Sequence, residues 1–234
     1  EFKELTFILK EVEKFKPDII LAIGGGAVID YAKIVSIIDY KLLNNLKVRL
    51  TNYENISKRK IYPLVAVPTT AGAGAEVTSN AVIYINKIKY SVENNLLIPD
   101  YFFLFSNLII SNPFNLKSSA GFDAIAQGVE SLISIKSNKT SVLYAKKSLE
   151  LSLKNYLSFL NNPNSNNSKN MLLASNLAGK AINISKTTAP HAVSYPFSSL
   201  FGLDHGHAVS LTFEKFLIFN FKNIEASQSD FDLL

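Results

Sequence analysis

The sequence has 234 residues, of which 47% are hydrophobic and 18% charged, and it contains no cysteine. This composition predicts a folded globular chain and excludes intrinsic disorder, disulfide frameworks, thiolate metal sites and cysteine nucleophiles. The formal net charge of +5 is spread along the chain without a dense basic block. We therefore expect no nucleic-acid partner, and a small anionic ligand is at least as well suited to this charge.

The first residues are amphipathic and charged, which is not typical of a signal peptide. No uninterrupted apolar run is long enough to cross a bilayer. The absence of cysteine fits a reducing compartment. We expect a cytoplasmic protein without a membrane partner.

The first half of the chain alternates helical and strand patterns. Residues 2–15 have apolar side chains at helical spacing, which predicts a helix that Pro17 ends. The run DIILAIGGG predicts a buried parallel strand, and AVIDYAKIVSII predicts a helix after it. IYPLVAVPTT predicts a second buried strand, and NAVIYINKIKYSV predicts a hairpin or a pair of strands. Residues 1–112 are thus interpreted as an α/β domain with a parallel sheet.

The second half shows helical patterns only. Helices are predicted over residues 115–135, 139–160, 168–184 and 207–222, with the polar loop NNPNSNNS between the second and third. Residues 113–234 are therefore predicted to form an all-α domain.

Three consecutive glycines, Gly24, Gly25 and Gly26, stand between the first strand and its helix. Glycine lets the backbone approach a ligand closely, and a helix N-terminus offers unpaired N–H groups and a positive dipole. This combination favours a pyrophosphate site, and the alternative is a tight turn without a ligand.

A second loop of small residues, VPTTAGAGAEVTSNAV, follows the next strand. Thr69, Thr70, Gly72, Gly74 and Thr78 would line a dinucleotide with little bulk, unless this is an ordinary polar loop. Two such loops at the carboxyl ends of parallel strands indicate a shared crevice, where ligands bind in open α/β sheets.

All 3 histidines of the chain lie in the segment TTAPHAVSYPFSSLFGLDHGHAV. Asp123 and Gln127 share a face of one predicted helix, with Glu130 one turn further. An aspartate with His191 and His205 would form an iron(II) or zinc site with an open position for substrate. Alternatively Asp123 caps a helix and the histidines are structural. We assign no role to His207.

Four motifs now stand in order along the chain: GGGAVIDYAK, PTTAGAGAEVT, GFDAIAQGVES and HAVSYPFSSLFGLDHGHAV. Together they resemble the iron-containing (group III) alcohol dehydrogenases over about residues 15–215. The resemblance implies a dehydroquinate synthase-like fold: a dinucleotide-binding α/β domain followed by a helical domain, with metal and nicotinamide in the cleft. It also implies that the chain lacks the family's first βα units and much of its helical C-terminus.

The resemblance implies roles for particular residues. It places the metal on Asp123, His191 and His205, with Gln127 where the family usually has histidine. Tyr195 stands where a further family histidine often lies near the nicotinamide, and we expect it to contact substrate or relay a proton. The residues expected to bind NAD or NADP are Gly24, Gly25, Gly26, Asp30, Thr69, Thr70, Thr78 and Lys89.

The expected activity is that of a metal-dependent NAD(P)-linked alcohol dehydrogenase or aldehyde reductase, with Fe²⁺ or Zn²⁺. LAGKAINISKTTAPHAVSYP together with Gln127 most resembles a branch that reduces phosphonoacetaldehyde to 2-hydroxyethylphosphonate. Lys180 and Lys186 would attract such an anion, or are solvated helix charges. The alternatives are a non-catalytic relative, motivated by Gln127, Tyr195 and the segments that the chain is expected to lack, and a same-fold maleylacetate reductase or glycerol dehydrogenase. The sequence leaves open whether the protein forms a homodimer.

Overall fold

The computed structural model of the chain describes residues 2–52 and 57–223. The chain divides into two compact units, one formed by Glu1–Pro68 with Ala75–Phe103 and the other by Thr69–Gly74 with Leu104–Leu234. The last residues of the predicted helical domain, 224–234, lie outside the described residues.

The first unit has the helix and strand order that the sequence patterns indicate. Its elements are α1 (Phe2–Phe15), β1 (Ile20–Gly24), α2 (Gly26–Ile37), α3 (Leu43–Thr51), β2 (Leu64–Pro68), β3 (Asn80–Ile85), β4 (Ile88–Glu93) and β5 (Tyr101–Phe102). The predicted helix over residues 2–15, the helix after the glycines, and both predicted strands are confirmed. The short elements α3 and β5 were not predicted.

The strands form a parallel sheet and a separate hairpin. The sheet has the order β1-β2-β5, with Ile20 beside Leu64 and Gly24 beside Pro68 in a parallel register. β3 and β4 pair in antiparallel fashion, which confirms the hairpin prediction. Its two-residue turn places Asn86 and Lys87 at φ 52° and 65°, the left-handed region that such tight hairpin turns require.

The prediction that β1 is buried is wrong for one of its faces. Ala22 is buried, but Leu21 and Ile23 are 58% and 54% exposed. β1 lies at an edge of the sheet, and within the described part of the chain nothing covers this face. A short apolar run does not reveal whether one face or both are covered, because the period of the pattern is lost.

The hydrophobic core of the first unit lies between its helices and the hairpin. Leu5 and Leu9 of α1 and Ile34 and Ile37 of α2 are buried in one cluster with Ile83 of β3. The apolar positions of α1 thus form the stripe that their helical spacing predicts. This packing fixes α2, and with it the glycine turn at its start.

The second unit consists of helices among its described residues. They are α4 (Asn107–Ile110), α5 (Phe114–Ile133), α6 (Lys139–Asn161), α7 (Ser165–Ser185), α8 (Ala189–Phe201) and α9 (His205–Lys222). The four predicted helices are confirmed, and α8 is an addition. α7 begins three residues before its predicted start at residue 168, because the Asn164 side chain accepts hydrogen bonds from the first turn.

α5 is the central helix of the second unit, and small residues allow its neighbours to approach closely. A Cβ atom on Gly121 would lie 2.6 Å from the Tyr156 ring of α6. On another side, the rings of Phe122 and Phe213 of α9 meet edge to face, with centroids 5.4 Å apart. α5 therefore carries its polar side chains into a packed interior. None of the described helices has the length and apolarity that a membrane crossing requires.

Candidate active site

One face of α5 carries three buried polar side chains. Asp123, Gln127 and Glu130 follow one another at helical spacing, and they are 4%, 3% and 0% exposed. Buried polar groups are costly unless they find partners, so this face needs donors or a cation from another element. The donors come from α8 and α9.

His191 of α8 lies between two carboxylates of α5. Its Nε2 is 3.0 Å from Oδ1 of Asp123, and its Nδ1 contacts Oε1 of Glu130. The other oxygen of Glu130, Oε2, accepts hydrogen bonds from the backbone N–H and the hydroxyl of Thr188, at 2.5 and 2.9 Å. Thr188 is the N-cap residue of α8, so Glu130 contacts both the start of this helix and its histidine.

His205, the first residue of α9, completes a group of three ligand atoms. Its Nε2 lies 3.8 Å from Oδ1 of Asp123, and its ring centroid is 5.3 Å from that of His191. The ligand atoms of Asp123, His191 and His205 all lie within 4.8 Å of one another. One carboxylate oxygen and two imidazole nitrogens at this spacing are able to hold one divalent cation.

Gln127 adds an acceptor without a partner. Its Nε2 donates to Oδ2 of Asp123 at 3.2 Å, while its Oε1 is buried and has no hydrogen-bond partner among the described residues. An unsatisfied buried carbonyl oxygen costs on the order of 1–3 kcal/mol, so such an atom calls for an explanation. A cation held beside Asp123 provides one, because an amide oxygen is itself a metal ligand.

The electrostatics of the site favour a positive charge at its centre. Burial works against the charged form of His191, but hydrogen bonds to Asp123 and Glu130 and the charges of both carboxylates raise its pKa to about 9. Burial likewise works against the charged form of Asp123, yet its two histidine neighbours and Gln127 lower its pKa below the ordinary value. The site is therefore anionic once its histidines are neutral.

Tyr195 and His207 differ in their relation to this site. Tyr195 lies one helical turn after His191, and its ring stacks on that of His205 with centroids 6.1 Å apart and an interplanar angle of 12°. His207 is exposed, and its backbone N–H donates to Oγ of Ser119. The structure thus brings Tyr195 beside the candidate ligands, whereas the His207 ring is turned to solvent.

Gly206 lets the start of α9 touch α5. A Cβ atom at this position would lie 1.9 Å from the Ser119 carbonyl oxygen and 3.1 Å from Cβ of Asp123. No side chain larger than hydrogen fits there unless one of the two helices moves. The glycine between the two histidines of DHGH therefore sets how closely His205 approaches Asp123.

The Gly206→Ala variant is expected to lose about 1–3 kcal/mol of unfolding free energy, the usual cost of forcing an extra methyl group into a packed contact. The midpoint of urea unfolding measures this loss. Ser210→Ala, on the same helix, provides a control with an expected change within about 0.5 kcal/mol. Equal midpoints for Gly206→Ala and the unmodified chain would show that the helices separate at no cost.

The glycine turn has the form of an open helix start. Gly25 is the N-cap residue of α2, and it has no side chain that could cap this helix. At Gly24, a Cβ atom would lie 2.6–2.9 Å from the Val28 side chain, so only glycine fits the turn. Uncapped backbone N–H groups at a helix start suit the anionic oxygens of a phosphate.

Asp30 and Thr78, two predicted cofactor residues, contact a lysine that was not predicted to be buried. Lys33 of α2 is 0% exposed. Its Nζ donates to Oγ1 of Thr78 at 2.8 Å and to the Asn80 carbonyl at 2.9 Å, and it lies 3.5 Å from Oδ1 of Asp30. Burial raises the pKa of Asp30 and lowers that of Lys33, while each charge favours the ionised form of the other.

The other predicted cofactor residues lie in different surroundings. Lys89 is half-buried on β4 and contributes to the electrostatic environment of Asp30. Thr69 and Thr70 belong to the second unit, where the Thr69 carbonyl accepts a hydrogen bond of 2.8 Å from Asn112. Their binding of a dinucleotide stays a prediction.

Sequence reasoning missed the roles of Glu130 and Thr188. The signal for Glu130 was its position one further turn from Asp123 and Gln127, which places all three on one helix face. Thr188 gave the usual signal of a helix start, a threonine two residues before a proline.

Comparison with known proteins gives two family matches. The model of the "Iron-containing alcohol dehydrogenase" family matches residues 2–105, and that of the "Fe-containing alcohol dehydrogenase family, C-terminal" matches residues 117–231. Both describe the same family and follow one another along the chain. They cover the glycine turn and the proposed metal ligands respectively.

Individual relatives agree with the family matches. The chain is 29% identical to the 4-hydroxybutyrate dehydrogenase of Clostridium kluyveri over 88% of its own length and 56% of the relative's. It is 28% identical to the phosphonoacetaldehyde reductase of Streptomyces viridochromogenes, over 91% and 56% of the two lengths. The chain thus spans about half the length of these curated relatives.

A solved structure shows the same fold. The sulfoacetaldehyde reductase of Bifidobacterium kashiwanohense, crystallised with NAD⁺, superposes with a TM-score of 0.85 at 25% identity. The match covers 93% of this chain and 58% of that one. With its parallel sheet, its helical second unit and its two family matches, the chain belongs to the iron-containing alcohol dehydrogenase family.

Proposed function

We propose that the protein is a metal-dependent NAD(P)-linked alcohol dehydrogenase or aldehyde reductase. Its metal is Fe²⁺, with Zn²⁺ as the alternative, held by Asp123, His191, His205 and Gln127. The observation that carries this proposal is the convergence of three ligand atoms within 4.8 Å of one another, on two buried side chains and one half-buried side chain. The orphaned Oε1 of Gln127 on the same helix face supports a fourth ligand.

The donor set fits a borderline divalent metal. Two imidazole nitrogens suit iron and zinc, and the carboxylate and amide oxygens are harder ligands that such ions also accept. When bound, the metal would act as a Lewis acid towards the substrate oxygen, and a nicotinamide would supply the hydride chemistry. The remaining chemistry belongs to the residues of this chain.

Those residues are proposed to bind the cofactor, to orient the substrate and to exchange protons with it. Tyr195 is the proposed contact to the substrate oxygen, because its ring is held against His205 and a phenol both donates and accepts a hydrogen bond. Gly24, Gly25 and Gly26 are proposed to receive the pyrophosphate at the start of α2. Asp30, Thr69, Thr70, Thr78 and Lys89 are the further residues proposed to contact or shape the cofactor site.

The proposed substrate is a short anionic aldehyde, phosphonoacetaldehyde in the first place. Three relatives are named for anionic substrates, namely phosphonoacetaldehyde, sulfoacetaldehyde and 4-hydroxybutyrate, whereas others are named for uncharged alcohols such as 1-propanol. Lys186 is the better candidate to attract the anion, since it lies at the corner that precedes α8. The Lys180 ammonium lies 5.9 Å from the centroid of the Tyr144 ring, so it is engaged by α6.

The proposal is tested on the purified full-length protein by metal analysis and by titration with NADH and NADPH. We expect about one divalent ion per chain and NAD(P)H oxidation with phosphonoacetaldehyde and sulfoacetaldehyde. Propionaldehyde, which has no anionic group, is the matched control and should show a higher KM. A protein that binds neither metal nor cofactor would instead be a non-catalytic relative, the alternative that Gln127 in the place of histidine favours.

A further inference from the structure

Both carboxylate oxygens of Glu130 contact α8, one at its N-cap residue and one at its histidine. Oε2 accepts from the backbone N–H and the hydroxyl of Thr188, and Oε1 contacts Nδ1 of His191. The side chain is 0% exposed, so no water competes for either oxygen. A fully buried carboxylate is retained only where its partners compensate for the loss of hydration.

These contacts decide which nitrogen of His191 faces the candidate ligands. Both ring nitrogens of His191 face a carboxylate oxygen, which accepts a hydrogen bond, so Nδ1 carries a proton towards Glu130 whether or not Nε2 carries one towards Asp123. Nε2 is then the nitrogen that lies 3.0 Å from Asp123, on the side of His205. Without Glu130 either ring nitrogen could carry the proton, and the ring could also turn over.

The turn between α7 and α8, residues 186–188, needs contacts that hold its conformation. Lys186 has φ 63° and ψ 171°, a conformation that residues other than glycine rarely adopt. Ser134 donates to the Ser185 carbonyl at 2.6 Å, and Ser185 donates to Ser131 at 2.8 Å. α5 thus holds the strained corner through its serines on one side and through Glu130 and Thr188 on the other.

We propose that Glu130 is a positioning residue for the metal site: it holds His191 with Nδ1 protonated and Nε2 directed at the metal position. This inference rests on the proposed function, in which His191 is a metal ligand. Partners of this kind typically contribute about 10- to 100-fold to metal affinity. Glu130 itself need not touch metal, substrate or cofactor.

The test uses the isosteric variant Glu130→Gln in the full chain, labelled with ¹⁵N-histidine. The chain has only 3 histidines, so His205→Ala and His207→Ala suffice to assign the signals. In the metal-free unmodified protein we expect a slowly exchanging Nδ1–H proton on His191, and we expect Glu130→Gln to lose it. Zn²⁺ affinity, measured by calorimetry, should fall about 10- to 100-fold in this variant.

Two further variants separate positioning from a merely structural role. Glu150→Gln removes a carboxylate whose side chain is 65% exposed, and it should leave both readouts unchanged. Thr188→Val removes a donor to Oε2 but leaves the contact through Oε1. It should lower the melting temperature, keep the Nδ1–H signal and change Zn²⁺ affinity by less than about threefold.

The outcomes are distinct. Unchanged Zn²⁺ affinity and an unchanged Nδ1–H signal in Glu130→Gln would overturn the inference, as would equal losses in Thr188→Val and Glu130→Gln. An unmodified protein without a protected Nδ1–H proton on His191 would also overturn it, even if Glu130→Gln fails to fold. An unmodified protein that shows this proton but takes up no metal would refute the proposed function while supporting the contact between Glu130 and His191.

Discussion

The Asp123→Asn variant is expected to lose metal binding and, with it, about 10²- to 10³-fold in turnover, the range found when one preorganised electrostatic group is removed from an active site. Asp123 is the anion in direct reach of both histidines, at 3.0 and 3.8 Å, and it also accepts from Gln127. Asparagine has nearly the same shape but no charge. Metal content by mass spectrometry and NAD(P)H oxidation with phosphonoacetaldehyde measure the two losses.

Asp204→Asn is the matched control for this variant. Asp204 precedes His205, is exposed and makes no capping hydrogen bond through its side chain. The same loss of one charge beside the site should therefore leave metal content unchanged. Full metal content in Asp123→Asn would contradict the assignment of Asp123 as a ligand, whatever the effect on turnover.

The Lys33→Met variant is expected to destabilise the protein by about 3–5 kcal/mol, the usual cost of removing one partner of a buried ion pair. Lys33 is 0% exposed and is bonded to Thr78 and the Asn80 carbonyl, with Asp30 beside it. Methionine fills a similar volume but leaves the Asp30 carboxylate without its counter-charge. Urea unfolding measures the loss, and Lys47→Met on the exposed side of α3 should stay within about 0.5 kcal/mol of the unmodified chain.

The destabilisation in Lys33→Met should depend on pH. Burial already raises the pKa of Asp30, and loss of the lysine charge raises it further. The folded variant then holds a proton that the unfolded chain releases, so its stability falls as pH rises above the ordinary pKa of an aspartate. The loss relative to the unmodified chain should be larger at about pH 8 than at about pH 5. Adding Asp30→Asn should remove this pH dependence, and a flat profile in Lys33→Met would show that Asp30 is not the uncompensated charge.

Local patterns predicted most of the fold, because the relevant signals are short in range. The apolar stripe of α1, the glycines before α2 and the hairpin sequence each correspond to the element found. α8 was not predicted because Pro190 and Pro196 interrupt its pattern. The structure accommodates Pro190 in the first turn of α8 and Pro196 inside the helix.

The candidate site was predicted less completely than the fold. The resemblance to the family supplied Asp123, His191 and His205, and the structure brings these three together. Glu130 and Lys33 were missed because their partners, Thr188 and Thr78, are distant in the chain. Charged residues at helical spacing usually mark a solvated face, and only tertiary packing reveals that these two are buried.

The position of the three proposed ligands on α5, α8 and α9 has a thermodynamic consequence. Asp123 and His191 are 68 residues apart in the chain, so an ion bound to both cross-links segments that separate on unfolding. Free metal at about 100 times its Kd would add about 2.7 kcal/mol to the stability of the folded state. The melting temperature of this chain would then depend on the free metal concentration, and a chelator would lower it even in the absence of substrate.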